Sequence, residues 1–122
     1  NKISQTALKH VVLMSKNVER TSGFFSEIIG MKLIHQTELM AELKDANDFR
    51  ILIKRTPNLS YMTYGFSPLL QFEISTSENF EETVQKAVTQ FKCSLDGEIA
   101  EDEQVKIACL RTEEGQTIGL SQ

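Results

Sequence analysis

The stretch "LKHVVLMSKNVERTSGFFSEIIGMKL", residues 8–33, decides the fold of this chain. An apolar run around His10 ends at Ser15 and predicts a strand over residues 7–15. Asn17 can cap a helix with its side chain. Apolar residues then recur near helical spacing as far as Gly30, a residue type that commonly ends helices. The stretch therefore predicts one strand followed by one helix.

The same order of elements occurs a second time along the chain. Strands are predicted over residues 31–36, 39–44 and 50–55, and a connector follows at residues 56–67. A further strand over residues 69–75 leads into an amphipathic helix that ends at Phe91. The last three predicted strands cover residues 94–100, 104–111 and 117–122.

This repetition predicts a single α+β domain over residues 1–122. It would consist of two βαβββ modules, the first at about 7–55 and the second at about 68–122. Each module is too small to bury a core of its own, so we expect the two modules to share one core. A ferredoxin-like arrangement is the competing fold, but it would leave at least two of the predicted strands unused.

Composition agrees with one globular domain and excludes several kinds of partner. The 122 residues are 40% hydrophobic and 25% charged, with a net charge of −4, and acids and bases are interleaved. We therefore expect no nucleic-acid partner and no membrane association. Cys93 and Cys109 lack the spacing of a metal-binding motif and are expected to be reduced core residues. No signal-like segment opens the sequence, so a cytoplasmic location is expected.

Three segments carry a resemblance to a known superfamily. Residues 8–33 combine a strand containing His-Val, a helix with a Phe-Phe pair and a Gly-Met-Lys-Leu segment. Residues 69–75, "LLQFEIS", and 111–120, "RTEEGQTIGL", look like the start of a second module and a closing hairpin. In these segments the chain resembles the vicinal oxygen chelate superfamily, which includes glyoxalase I, bleomycin- and fosfomycin-resistance proteins and extradiol dioxygenases. The resemblance implies that the two modules form a curved-sheet cup in which a ligand binds.

The resemblance also implies where a metal ion would be bound. His10 matches the first ligand position, whereas the second-module histidine position falls on Leu69. The closing glutamate position falls on Gly119, and the first-module glutamate position lies near Leu52. Leucine and glycine side chains have no donor atom, and transition-metal sites need about three protein ligands. We therefore expect no metal and no other cofactor, with a divalent metal as the alternative.

Strand alternation indicates which side chains face the cup. Arg50 and Lys54 would share that face, where two cations suit an anionic ligand, although ordinary outward charges on a half-exposed strand are the commoner case. An error of one residue in register would reverse every such assignment. The predicted ligand-binding residues are His10, Val12, Met14, Arg50, Leu52, Gln71, Glu73 and Gly119.

His10 and Glu73 are the candidate catalytic residues, and each has a plainer interpretation. His10 is either a metal ligand or, as we favour, a neutral hydrogen-bonded pocket residue that can act as an acid or base near neutral pH. Glu73 would replace a lost metal ligand or serve as a base. Its plainer interpretation is a partly solvated carboxylate at the rim, paired with a lysine or arginine.

The connector adds aromatic side chains whose role the sequence leaves open. They would either wall off a flat apolar ligand or pack at a subunit interface, where aromatic residues and methionine are enriched. The residues concerned are Tyr61, Met62, Tyr64 and Phe66.

These observations lead to three functional hypotheses. The leading one is a metal-free small-molecule-binding protein that sequesters a ligand, as bleomycin-resistance proteins do. The second is a divergent metal-dependent enzyme, either a glyoxalase-like lyase or isomerase or a dioxygenase. The third is a metal-free enzyme that uses His10 and Glu73 for acid–base chemistry. In each case the expected partner besides the small molecule is a second copy of the chain, in a homodimer.

Overall fold

The computed structural model describes residues 6–74, 79–102 and 105–122. The predicted order of elements is present, except that the strand predicted over residues 94–100 is divided into two short strands. The elements are β1 (Val11–Ser15), α1 (Val18–Gly23) continued by a π-helical turn (Phe24–Ile29), β2 (Lys32–Gln36), β3 (Met40–Lys44), β4 (Arg50–Arg55), a 3₁₀ turn (Leu59–Tyr61), β5 (Gly65–Glu73), α2 (Phe80–Phe91), β6 (Ser94–Leu95), β7 (Ala100–Asp102), β8 (Val105–Arg111) and β9 (Gln116–Ser121).

Capping residues begin and end the helices where the sequence predicts. The side chain of Asn17 accepts a hydrogen bond of 3.0 Å from the backbone N–H of Arg20, and Asn79 caps α2 in the same way. Gly30 ends the π-helical turn with a left-handed backbone, φ 88°, which glycine adopts without steric cost. These caps fix where each helix meets the strand that follows it.

The strands form two sheets that repeat one topology. The first sheet has the order β1-β4-β3-β2, and the second has β5-β9-β8-β6 with β7 paired to β8. In each sheet the first strand of the module runs parallel to its last strand, β1 with β4 and β5 with β9. The other pairs are antiparallel. The α+β fold of two βαβββ modules is therefore confirmed.

One hydrophobic core joins the two modules. Phe25 is fully buried and lies edge-on to Phe24, with the ring centroids 5.2 Å apart. Phe24 in turn contacts Phe91 of α2, and Phe25 contacts Phe72 of β5. The π-helical turn brings both adjacent phenylalanines and Ile28 to the buried side. The single core predicted from the size of the modules is present.

Several predicted boundaries differ from those observed. The strand predicted over residues 7–15 begins only at Val11, because the ladder with β4 ends there and His10 is bonded through its side chain instead. β5 begins at Gly65, within the predicted connector, because Gly65 pairs with Gln116. Ser75 and Gln104, at the ends of two predicted strands, and the Phe66 side chain lie outside what the structure describes. Among the described residues, none of the helices has the length and apolar character needed to cross a bilayer.

Candidate functional site

The exposed face of the first sheet brings His10 beside two charged residues. The backbone ladders place Val12 next to Leu52 and Leu52 next to Glu42, so these side chains form a row across β1, β4 and β3. His10, immediately before β1, approaches Glu42 with Nε2 2.5 Å from Oε2. Arg50 Nη1 lies 3.4 Å from the same carboxylate oxygen. Glu42 is therefore the centre of a polar cluster, and the row continues past it to His35, its ladder partner on β2.

Hydrogen bonding favours the ionised form of the Glu42 carboxyl and thereby decides which atom donates in its bond with His10. The hydrogen bond from His10 holds the pKa of the Glu42 carboxyl below its usual range; partial desolvation opposes this effect, and Arg50 reinforces it. An ionised carboxylate can only accept hydrogen bonds, so His10 Nε2 must be the donor. This arrangement leaves Nδ1 as the imidazole nitrogen that does not contact Glu42. The imidazole of a neutral His10 would thus present an acceptor at Nδ1.

Arg50 connects this cluster to a more exposed group of charges. Its Nη2 lies 3.3 Å from Asp48 Oδ1, and Lys44 Nζ lies 3.7 Å from the same oxygen. Asp48 has a left-handed backbone, φ 64°, in the turn between β3 and β4. Because Arg50 is shared between two carboxylates, it neutralises Glu42 only in part. Lys54 is exposed on the same face.

The second sheet presents a different set of side chains on its exposed face. Leu69 is 51% exposed, and Gln71 and Glu73 are also exposed. The Gln71 amide lies directly over Gly119, its partner in the parallel ladder, and fills the volume that a side chain at position 119 would occupy. Glu73 makes no side-chain hydrogen bond or ion pair within residues 6–74, 79–102 and 105–122.

The structure thus divides the predicted site residues between two sheets. His10, Val12, Met14, Arg50 and Leu52 belong to the first, while Gln71, Glu73 and Gly119 belong to the second. The carboxylate beside His10 comes from Glu42, which the sequence analysis did not single out. The pattern could have shown that Glu42 faces the exposed side, although not that it meets His10. Ala41 and Leu43 are fully buried, so alternation along β3 directs Glu42 to the exposed face.

The residues at the metal positions do not fit a metal ion. Leu52, Leu69 and Gly119 carry no donor atom, and His10 Nε2 is already bonded to Glu42. Among the described residues, no group of three or more histidine, cysteine, aspartate or glutamate side chains is placed to hold one. The donor set is therefore short of the three protein ligands that such sites commonly use.

Comparison with known proteins agrees with this fold. A sequence profile of the Glyoxalase/Bleomycin resistance protein/Dioxygenase superfamily matches residues 7–113. The fold and the match together define the class, and the chain belongs to this superfamily. No curated protein sequence matches it.

Several solved structures share this fold at low sequence identity. A glyoxalase/bleomycin resistance protein/dioxygenase family enzyme from Burkholderia phytofirmans PsJN is 18% identical with a TM-score of 0.74, covering 93% of this chain and 95% of that one. A glyoxalase family protein from Bacillus cereus is 18% identical with a TM-score of 0.72, covering 98% and 97%. A virulence protein from Salmonella typhimurium is 20% identical with a TM-score of 0.65, covering 98% of each chain.

Proposed function

We propose that this protein binds a small molecule, without a metal ion, on the exposed face of its first sheet. The observation that carries the proposal is the hydrogen bond between His10 and Glu42, reinforced by Arg50. A neutral imidazole that donates from Nε2 to this carboxylate has a fixed tautomer, with an acceptor at Nδ1. Ligand sites commonly combine apolar surface with a few fixed polar groups of this kind.

The chemistry of the face indicates a ligand with an apolar body and a polar group. Val12 is 44% exposed and Leu52 is half-buried beside it, so together they offer a small apolar surface. His10 and Arg50, which precede Val12 and Leu52 by two residues each, lie at one end of this surface. A carbonyl or carboxylate of the ligand would be recognised by Arg50 through a charge-assisted hydrogen bond.

The metal-free part of the proposal is tested by elemental analysis. The protein is purified without chelator and without immobilised nickel, alongside His10→Ala. We expect less than about a tenth of an equivalent of any divalent transition metal in either sample. A site with fewer than three protein ligands should retain only adventitious ions. Near one equivalent in the wild type, lost in His10→Ala, would overturn the proposal.

The binding part is tested by the melting temperature in the presence of small carboxylic acids and ketones with apolar bodies. A compound that binds this face should raise the melting temperature of the wild type more than that of Glu42→Gln, because the variant replaces the ionised acceptor that orients His10 with a neutral amide oxygen, a weaker acceptor. Glu27→Gln is the matched control, since Glu27 is exposed on the helical side of the domain. Equal shifts in the wild type and in Glu42→Gln would place the compound elsewhere.

A metal-free acid–base enzyme is the second candidate, and the same pair favours it. A carboxylate that fixes the tautomer of an imidazole is a recurrent arrangement in general base catalysis. Here Glu42 would be the positioning residue and His10 the base. Turnover should then fall in Glu42→Gln, because the variant lacks the ionised carboxylate that orients His10. Loss of activity in Glu73→Gln with full activity in Glu42→Gln would instead support the pair predicted from the sequence.

We further propose that the protein is a homodimer. Apolar side chains on one face of β8 are left open in one chain: Val105 and Ile107 are each 45% exposed. Exposed apolar patches of this kind commonly mark interfaces, and symmetric pairing of one surface is the commonest way to cover them. Light scattering after size exclusion should give twice the chain mass, and Ile107→Glu should shift the protein toward the monomer. A wild-type monomer at high micromolar concentration would contradict the proposal.

A further inference from the structure

A cavity of about 460 Å³ lies between the two modules, at the carboxyl end of β1. It is bordered by the start of α1, the end of α2 and the turn between β8 and β9. Its size lies within the range that holds small organic ligands. Met14 is the one residue of the predicted ligand-binding set that lines it.

The carboxylates in the walls of this cavity already have partners. Glu114 accepts a hydrogen bond of 2.9 Å from the Lys16 backbone N–H and one of 3.2 Å from the Thr21 hydroxyl. Glu113 is paired with Arg20 at 2.9 Å. The turn of the second module is thereby fastened to α1 of the first. The walls consequently offer no free carboxylate from these two residues to attract a cation.

The walls, in contrast, include one buried donor without an acceptor and one exposed cation. Gln116 is 4% exposed, and its Nε2 has no hydrogen-bond partner among the described residues. Lys16 Nζ has no ion-pair partner in the same part of the chain. A buried amide donor without a partner costs about 1–3 kcal/mol. A ligand acceptor bonded to Gln116 Nε2 would remove that cost.

Part of the remaining lining is apolar, beside the polar side chains of Asn17, Arg20, Thr21 and Thr112. The rings of Phe24 and Phe91 lie at one side with Leu13, and Met62 of the connector lies at another. Cys93 completes the apolar wall, because burial, with a smaller contribution from Glu113, raises the pKa of its thiol to about 12. The thiol is therefore protonated at neutral pH and behaves as a small apolar group.

We propose that this cavity is a second ligand site, separate from the face that carries His10, and that it takes a small aromatic or aliphatic carboxylate. The apolar body would lie against the phenylalanine rings and methionines. The carboxylate would accept a hydrogen bond from Gln116 and face the ammonium group of Lys16.

The methionines of the chain allow a direct test with 2-naphthoate as the probe. Of the four, Met14 and Met62 line the cavity, Met31 is 4% exposed in the core, and Met40 lies in β3. In protein labelled with ¹³C at the methionine methyl groups, naphthoate in the cavity should shift Met14 and Met62 together. A ligand on the face of the first sheet would shift Met40 and leave Met62 unchanged. The two proposals can therefore fail independently.

Two variants and one control complete the test. Gln116→Leu removes the donor while keeping an apolar side chain of similar length, so it should weaken naphthoate binding roughly tenfold or more. It should also fold at least as stably as the wild type, because the unpartnered donor is gone. Met62→Trp should close the cavity and abolish the Met14 shift. Gln85→Leu, on the exposed side of α2, should bind naphthoate as the wild type does.

The proposal is overturned by either of two results. One is a titration in which Met62 does not move at millimolar naphthoate. The other is a Gln116→Leu variant that is folded, as judged by the dispersion of its methyl spectrum, and binds naphthoate as tightly as the wild type and Gln85→Leu.

Discussion

Glu42 lies directly across from Leu52 in the antiparallel ladder of β3 and β4. Through this pairing the carboxylate of the exposed face comes from β3, although the superfamily resemblance would place it on β4 near Leu52. Because the carboxylate is on β3 instead of β4, it lies within hydrogen-bond distance of His10. It also turns a histidine at a metal-binding position into a donor to a neighbouring side chain. The chemistry of the face therefore depends on having the carboxylate on β3 rather than on β4.

The pair predicts how stability depends on pH. The pKa of Glu42 is lowered in the folded chain, first by the hydrogen bond from His10 and further by Arg50. A lowered carboxyl pKa contributes stability that is present above the pKa in the unfolded chain and is lost as the pH falls through the folded value. The urea midpoint of the wild type should therefore exceed that of Glu42→Gln near neutral pH, and the two should converge at acid pH.

Glu27→Gln supplies the control for this measurement. Glu27 is exposed, and within the described residues it has no ion pair. Its substitution should leave the midpoint close to that of the wild type across the same pH range. A gap between wild type and Glu42→Gln that widens as the pH falls would mean that the sign of the coupling is wrong.

Substitutions at Gln71 and Gly119 should have non-additive effects on the unfolding free energy. A Cβ at position 119 would overlap the Gln71 amide, but the overlapping atoms are the far end of a flexible side chain. Gly119→Ala should therefore cost only about 1 kcal/mol of unfolding free energy. In the Gln71→Ala background the same substitution should cost nothing measurable. Denaturation of the four proteins in a double-mutant cycle gives the coupling directly, and additive costs would show that the amide does not lie over Gly119.

Much of the fold could be predicted because its signals are local. The caps at Asn17 and Gly30 and the repeated order of strands and helix depend on nearby residues, and each is present in the structure. Alternation along β4 also holds, since Ile51 and Ile53 are fully buried while their neighbours are not. Period-two burial is determined by which face meets the core, so the sequence alone indicates it.

The partner of His10 could not be predicted in this way. Glu73 and Glu42 both lie on exposed faces of strands, and only the pairing of β3 with β4 decides which one lies near His10. The cavity between the modules also could not be predicted from the sequence pattern. Phe91 and Gln116 meet there from elements far apart in sequence. Such contacts depend on how two modules pack, which no local periodicity encodes.

The shared core predicts where truncation is costly. Leu43 is fully buried in β3, whereas Leu39, just before the same strand, is 67% exposed. Leu43→Ala should lower the unfolding free energy by about 2–5 kcal/mol, since it removes buried methyl groups and leaves a cavity. Leu39→Ala should change it by less than about 0.5 kcal/mol. Equal losses in the two variants, measured by urea denaturation, would contradict the burial pattern of the first sheet.

Arg20, in the first module, makes three contacts with the second module and should help to hold the two together. Its guanidinium is bonded to Glu113 and to the backbone carbonyl of Gln90, both at 2.9 Å, and lies 5.3 Å from the centre of the Phe91 ring. Lysine keeps the charge but has neither the planar group nor the fixed spacing of donors that these three contacts use. Arg20→Lys should therefore destabilise the chain by about 1 kcal/mol, even though the ion pair with Glu113 is partly exposed.

Arg55→Lys is the matched control, because Arg55 is exposed at the end of β4 with no ion pair among the described residues. The same exchange there should leave the urea midpoint within error of the wild type. If Arg20→Lys were equally silent, the contacts of Arg20 would not contribute to stability, and the core around Phe24 and Phe91 alone would hold the modules together. If it destabilises as expected, the loss should fall by about 0.2–1 kcal/mol in a Glu113→Gln background, because the ion pair is already absent there.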